Sequence, residues 1–268
     1  MRDIISDLQA AEFLSDPNPM RRAQKQMLTP LSKRFYKDAG VEVQGGEFVV
    51  VLDGKPVKTP ARKLLSLPTR EAAGLVAAEF AAQVKEINPA TMPFTRLANS
   101  AIDGVSTEVD AVLEDIKRFA GNDMLCYRAE TPDALVLKQT DVWDPYLEWV
   151  KAKHGARLYM AEGVMHVQQP AEAIEAIGKA LKAHSEPIAL ACLHAMTTLT
   201  GSAVLAMAVA EGHATAQEAW KAAHLEEDWT AEFWGEDREA AERRAWRWTE
   251  MDAAARMLSA LRQSPEKV

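Results

Sequence analysis

Residues 41–80 read "VEVQGGEFVVVLDGKPVKTPARKLLSLPTREAAGLVAAEF". Two kinds of pattern meet in this stretch. Its first half predicts a short strand at Val41–Val43, a turn at Gly45-Gly46 and a strand from Phe48 to Leu52. Asp53-Gly54 predicts a second tight turn, because a two-residue hairpin loop needs positive φ and glycine supplies it without steric cost. Further strands are expected around Pro56–Lys58 and in "KLLSLP", with Pro56 and Pro60 suited to a sheet edge, where no backbone donor is required. After Pro68 the period changes. Thr69 can cap a helix over "REAAGLVAAEFAAQVKEI", in which Ala72, Leu75, Val76, Glu79 and Phe80 follow mostly apolar i, i+3, i+4 spacing.

Outward from this switch, helical patterns dominate. "NPATMP" breaks the first helix, and "FTRLANSAIDGV" predicts a second. "TEVDAVLEDIKRFAG" predicts a third, with Thr107 and Asp110 as a capping-box pair and Gly121 at its end. A helix across "DVWDPYLEWVKAKHG" is expected to be interrupted or restarted at Pro145, and "ARLYMAEGVMHVQQP" is extended. Pro170 opens another helix. An uncharged helix from Ile188 to Ala210 and two charged helices from Ala216 to Leu261 follow. The expected fold class is α+β, with a small antiparallel β-rich amino-terminal domain followed by a larger, mainly α-helical carboxy-terminal one. The expected boundaries are a flexible or helical lead-in at 1–29, a β domain at 30–68 and a helical domain at 69–268.

The 268-residue chain is long enough to bury a sizeable core, and its formal net charge is -8. That charge disfavours broad nucleic-acid binding, which needs clustered Lys and Arg to neutralise phosphates. Cys126 and Cys192 are isolated among apolar residues and read as reduced core thiols. The run from Ile188 to Ala210 contains no Asp, Glu, Lys or Arg. It nevertheless holds His194, Thr197, Thr198, Thr200, Gly201 and Ser202, and no basic residue flanks it directly. A helix buried among other helices fits it better than a bilayer span, so no membrane insertion is expected. The opening "MRDIISDLQAAEFLSD" has neither a secretory pattern nor that of an Arg/Ser-rich transit peptide. The expected location is the bacterial cytoplasm, or the mitochondrial matrix if the source is eukaryotic.

Signatures of catalysis are missing: there is no GxGxxG, P-loop, GxSxG or CxxC. His154, His166, His184, His194, His213 and His224 form no HExxH or ExxH motif and no i, i+4 pair. No catalytic residue, cofactor or metal ligand is expected. The nearest metal-like set is His224 with Glu227 and Asp228, a spacing equally suited to a solvated helix face.

Two stretches stand out. "LEEDWTAEFWGED", residues 225–237, crowds carboxylates around two tryptophans. Glu226, Trp229 and Phe233 share a helical stripe, and these rings are expected to pack inward. Glu227, Asp228, Glu232, Glu236, Asp237 and Glu239 are too many to bury as ions, so they must meet water or a partner. Gly235 is expected to separate one helix from the next, with Glu236 and Asp237 favouring the amino-terminal dipole of the second and Glu239 pairing with Arg243. The other stretch is "TMPFTRLANSAIDGV", in which Arg96, Asn99 and Asp103 lie on one helix face. Such a row can bind a ligand or tie its helix to a neighbouring strand.

Taken in order, "RFYKDAGVEV", "FVVVLDGKPVKTPARKLLSLPT", "INPATMPFTRLANSAIDGV", "DMLCYRAE", "VWDPYLEW", "GVMHVQQP", "LTGSAVLAMAVAEG" and "AWKAAHLEEDWTAEFWGEDREAAERR" resemble the assembly chaperones of F1-ATPase that act on its alpha subunit. The resemblance runs from about Arg34 to Leu261, and "DGKPVKTP" and "PATMPFTRLANSAID" are its specific segments. It implies a small β-rich domain and a helical one. It also implies a chaperone, expected to be monomeric, that holds unassembled alpha subunit transiently, prevents its aggregation and yields it to the beta subunit without ATP hydrolysis. Within the matching acidic segment it points to Glu236, Asp237 and Glu239 as partner contacts and to Trp229 and Trp234 as packing or anchor residues. Arg96, Asn99 and Asp103 are secondary candidates. The rival reading is an enzyme with a helical pocket, in which Glu227, Asp228, Glu232 and Glu236 converge on Mg²⁺. A scaffold that stays in its complex is the third.

Overall fold

The computed structural model describes residues 31–163, 165–235 and 237–262. Glu236, one of the expected partner contacts, therefore lies outside the described residues, as does the expected lead-in at 1–29. The described residues form two compact units, one of residues 31–107 with 259–262 and one of residues 108–258.

The first unit is built on a hairpin. Strand β2 (Ala39–Gln44) pairs antiparallel with β3 (Glu47–Leu52) in the register Ala39↔Leu52 to Gln44↔Glu47. Gly45 and Gly46 take φ of 64° and 88°, the mirror-image turn whose twist matches the strands. β3 is central, and Phe48 through Leu52 are all buried. Its far edge is shared by β4 (Lys55–Pro56), paired with Val51 and Leu52, and β5 (Ser66–Leu67), paired with Phe48 and Val49. β4 lies at the sheet edge, as Pro56 requires. Asp53 closes the second turn at φ 48°. Its carboxylate accepts the amides of Lys37 and Asp38 at 3.0 and 2.9 Å, which holds its pKa below the ordinary range.

Helix α1 (Arg70–Ala82) buries Ala72, Ala73, Val76, Ala77 and Phe80, and the Thr69 hydroxyl accepts the Ala72 amide at its start. Thr69 Oγ1 also donates to the Ala260 carbonyl at 3.0 Å. The helix stops five residues before the expected end at Ile87. Glu86–Ile87 is instead strand β6, paired antiparallel with β1 (Ser32–Lys33). Here long-range pairing overrides a local helical pattern. Helix α2 (Pro93–Asp103) follows a 3-10 turn at Pro89–Thr91. Both helices belong to the unit of the sheet, so the boundary falls after Thr107 rather than after Pro68. A four-stranded sheet buries its central strand only where a helix covers it, and α1 supplies that cover.

The second unit is mostly helical. It comprises α3 (Val109–Ala120), α4 (Asp133–His154), α5 (Ala171–Leu181), α6 (Pro187–Thr200), α7 (Ala203–Ala210), α8 (Ala216–Ala223), α9 (Leu225–Trp234) and most of α10 (Arg238–Leu261). A parallel pair, β7 (Tyr127–Arg128) with β8 (Ala161–Glu162), completes it. The α+β class and the order of its β-rich and helical regions agree with the sequence pattern.

Several local expectations fail for identifiable reasons. The Thr107–Asp110 capping box does not form: Thr107 ends a 3-10 turn and donates its hydroxyl to the Gly104 carbonyl at 2.8 Å. α4 runs through Pro145 without a break. The uncharged run is two helices, because Gly201 turns left-handed at φ 69° and Ser202 caps α7 by accepting the Leu205 amide. Three charged helices, not two, follow it, since the chain breaks again at His224. Among the described residues no helix is long and apolar enough to cross a membrane.

The core of this unit includes Ile116, Leu125, Trp143, Val150, Ile177, Leu181, Leu193, Met196, Leu205 and Met207. Trp143 satisfies its indole N–H on the Ala222 carbonyl at 2.8 Å. Asp123 is also fully buried. It accepts the amides of Leu125 and Val204, yet burial raises its pKa to about 6. Cys126 and Cys192 are free, buried thiols, and burial pushes Cys126 up to about 12.

Candidate partner-binding surface

The acidic segment forms a helical corner. α9 begins on the core with buried Leu225, and then its side chains turn outward. From Glu232 to Ala240 every described residue is exposed. Gly235 divides α9 from α10 at φ 83°, ψ 164°, a conformation that side-chain-bearing residues rarely adopt. Asp237 then opens α10: its carboxylate accepts the Glu239 amide at 3.2 Å and its carbonyl accepts the Ala241 amide at 2.9 Å. A carboxylate here also meets the positive end of the helix dipole. α10 anchors the corner through Arg247, which donates to the Leu199 carbonyl at 2.6 Å, and through buried Met251, Ala254 and Met257 in its later half.

Of the two rings expected to pack inward, Trp229 is half-buried and Phe233 is 65% exposed, the pair meeting at a centroid distance of 4.9 Å, and Trp234 is 86% exposed. The helix stripe faces the core only over its first turn, where Leu225 enters it. Trp246 on α10 and Leu137 on α4 are also more than half exposed.

The acids do not converge either. Glu226 accepts from Gln139 Nε2 at 2.6 Å, Glu232 pairs with Lys138 at 3.0 Å, and Asp228 pairs with Arg244. Lys138 also stands 5.4 Å from the centre of the Trp229 ring. Glu239 pairs with Arg243 at 2.5 Å, in the expected i, i+4 relation. His224 is buried, its Nδ1 2.8 Å from the Trp220 carbonyl, and burial lowers its pKa. Among the described residues no group of three or more His, Cys, Asp or Glu side chains is placed to hold a metal ion.

The Arg96, Asn99 and Asp103 row lies in the first unit. Asp103 accepts from Thr59 Oγ1 at 2.6 Å and from the Ala61 amide at 3.0 Å, tying the end of α2 to the β4–β5 connection. Arg96 donates to the Pro89 carbonyl. Asn99 Oδ1 is buried without a hydrogen-bond partner. Sequence reasoning passed over Glu79, whose buried carboxylate accepts the amides of Phe94 and Thr95 at 2.8 and 2.7 Å and the Thr95 hydroxyl at 2.6 Å. Its signal was a lone acid on an apolar helix stripe.

A sequence profile for "ATP12 chaperone protein" matches residues 33–151. The crystal structure of Atp12 from Paracoccus denitrificans is 35% identical, covers 86% of this chain and 99% of its own, and superposes with a TM-score of 0.81. The chain belongs to the ATP12 chaperone family. The Atu1473 protein of Agrobacterium tumefaciens is 55% identical, with 98% of this chain and 97% of that one covered and a TM-score of 0.86. The mitochondrial atp12 protein of Schizosaccharomyces pombe is 25% identical over 236 residues, 82% of this chain and 80% of its own. ATP12 membership supports the F1-ATPase assembly role implied by the motifs. Phe233 and Trp234 contribute little to the core of their own unit, and their rings lie largely at its surface.

Proposed function

We propose that the chain binds the unassembled alpha subunit of F1-ATPase, keeps it from aggregating until the beta subunit displaces it, and does so without hydrolysing ATP. The observation that carries this reading is the exposed aromatic corner on a member of the ATP12 chaperone family: Phe233 and Trp234, with Trp246 on the same pair of helices. An unassembled ring subunit exposes apolar surface meant for its neighbours, and such surface drives aggregation. Aromatic side chains make strong anchors for it, and carboxylates at the rim steer encounter and orientation.

In this reading Trp234 is an anchor and Trp229 supports Phe233 from below. Asp237 and Glu239 form the acidic rim. Arg96 and Asp103 use polar atoms to hold their own unit, which favours a scaffolding role for them over direct contact. Competition for overlapping surface suffices for release, and the sequence carries no P-loop or GxGxxG motif. Catalysis is not required.

The test is aggregation of purified alpha subunit at equimolar ratio, without nucleotide. Light scattering should fall in the presence of the protein, and added beta subunit should return the protein to the free pool. Scattering that is unchanged by the protein would refute the proposal.

A further inference from the structure

The four-stranded sheet of the first unit has two unlike edges. At one, β4 is two residues long and consists of Lys55 and Pro56, a lysine and a proline that discourage further pairing. At the other, β2 runs for six residues, Ala39–Gln44, with no Pro, no Lys and an unbroken register against β3. The direction of its backbone groups follows from β3. The Val50 amide donates to the Leu65 carbonyl at 3.0 Å and the Val50 carbonyl accepts the Val57 amide at 2.9 Å, so Val50 turns both groups away from β2. Val41 stands opposite Val50. Antiparallel pairs alternate between bonded and non-bonded, so Gly40, Glu42 and Gln44 bond to β3, while Ala39, Val41 and Val43 aim their amides and carbonyls outward.

Among the described residues, no strand or loop pairs with this side of β2. Glu42 and Val43 are exposed, and Ala39, Gly40 and Val41 are half-buried. An open ladder recognises an extended backbone, and the side chains along it select which one. Glu42 is the strand's one charged side chain. A second copy's β2, paired antiparallel about Val41, would set two Glu42 carboxylates diagonally on one face with no cation between them, which opposes pairing. A strand that brings Lys or Arg beside Glu42 is favoured by the same rule. An unassembled subunit exposes unpaired strand edges as well as apolar surface, and such edges are a route to aggregation.

We infer that the outer edge of β2 takes up an extended segment of the subunit this chaperone holds, paired to the backbone of Ala39, Val41 and Val43, with a basic residue of that segment beside Glu42. The inference rests on the proposed function and gives it a second mode of contact, main-chain hydrogen bonds in the first unit in addition to aromatic anchors in the second. Capping an open edge of the client removes the template on which further chains would pair.

The experiment measures binding of purified F1 alpha subunit to the full chain and to two variants, with thermal melting and sedimentation of each and residue-resolved amide exchange of the unaltered chain, free and bound. Val41→Pro deletes a donor that the fold does not use, so melting should stay near wild type while binding weakens about tenfold. Glu42→Lys leaves the ladder intact and should weaken binding through like charge, a loss that shrinks as salt is added. In the unaltered chain the amides of Val41 and Val43 should exchange fast when free and slowly when bound, whereas Glu42, bonded to β3, should be slow in both. Wild-type affinity in either variant overturns the inference and leaves the proposed function standing. A free chain that sediments as a dimer with Val41 and Val43 already protected does the same, by assigning the edge to a second copy. Failure of the unaltered chain to bind alpha subunit removes the proposed function, and this inference with it. If Val41→Pro melts early, exchange takes its place: protection of Val41 and Val43 on binding upholds the edge, and no protection overturns it.

Discussion

The Asp123 carboxylate accepts the Val204 amide at 3.0 Å, so a titratable group sits at the start of the buried helix α7 with none of its surface open to solvent. Burial outweighs the hydrogen bonds from Val204, Ser202, Leu125 and Ala203, and the pKa rises from the ordinary carboxylate value to about 6. The sign follows from linkage. Between the unfolded value and about 6, the folded chain keeps a proton that the unfolded chain has released. Folding is therefore most favoured below that window, and stability from this group is lost as pH rises through it. The gap corresponds to about 3 kcal/mol. Denaturant melts of the wild type and Asp123→Asn from pH 4 to 7 should diverge in slope, with the wild type alone losing stability from this source. Parallel curves would show that Asp123 does not carry the effect.

Glu79 should prove structural. Its carboxylate takes up two amides at the start of α2 and the hydroxyl of Thr95, all from a buried position. Glu79→Ala leaves those donors without a partner and should cost about 2–4 kcal/mol. Glu79→Gln keeps one acceptor oxygen and should cost less. Chemical denaturation of both variants checks the order, and equal losses would mean that the helix start finds other acceptors.

Gly235 is expected to resist replacement although it is exposed. A Cβ built there meets nothing within 4 Å, so any cost lies in the backbone, which sits at φ 83° and ψ 164°. Gly235→Ala should cost about 1–3 kcal/mol or shift the angle between α9 and α10. Thermal melting together with amide exchange across 225–245 distinguishes the two. A variant that matches wild type in both would show that the corner tolerates other geometries.

The regions of the fold that were legible in sequence are those fixed by local chemistry. Gly45-Gly46 and Asp53-Gly54 demanded turns, Thr69 capped a helix, and Gly235 ended one helix before the next began. What escaped depended on distant partners. Residues 83–87 continue a helical pattern, but pairing with Ser32–Lys33 draws Glu86–Ile87 into a strand. Glu79 looked like an anomaly on an apolar stripe until α2 brought its amides to it. Composition singled out the candidate site, yet Phe233, expected inward, faces outward. A stripe of Trp229 and Phe233 states that the residues are neighbours, while the direction of the stripe depends on where α9 leaves the core. Arg96 and Asp103 gave the same ambiguous signal as a ligand row, and only the positions of Pro89, Thr59 and Ala61 show their hydrogen-bond partners.

The aromatic corner should separate binding from stability more sharply than any other position. Trp234 is 86% exposed and Phe233 65%, and among the described contacts Phe233 meets Trp229 at the ring edge of the corner. Trp234→Ser should therefore change folding stability by no more than about 0.5 kcal/mol, the usual range for surface positions. Its loss as an anchor should weaken alpha-subunit binding by more than about 1 kcal/mol, or roughly fivefold to tenfold. Glu239→Lys alters the rim and breaks the exposed pair with Arg243, a pair worth little to the fold. That variant should chiefly lower the association rate, and the difference from wild type should shrink as salt is added. Binding kinetics at two ionic strengths, with melts of each variant, measure all of this. If Trp234→Ser binds as the wild type does, the anchor lies elsewhere, and the exposed rings of this corner need another explanation.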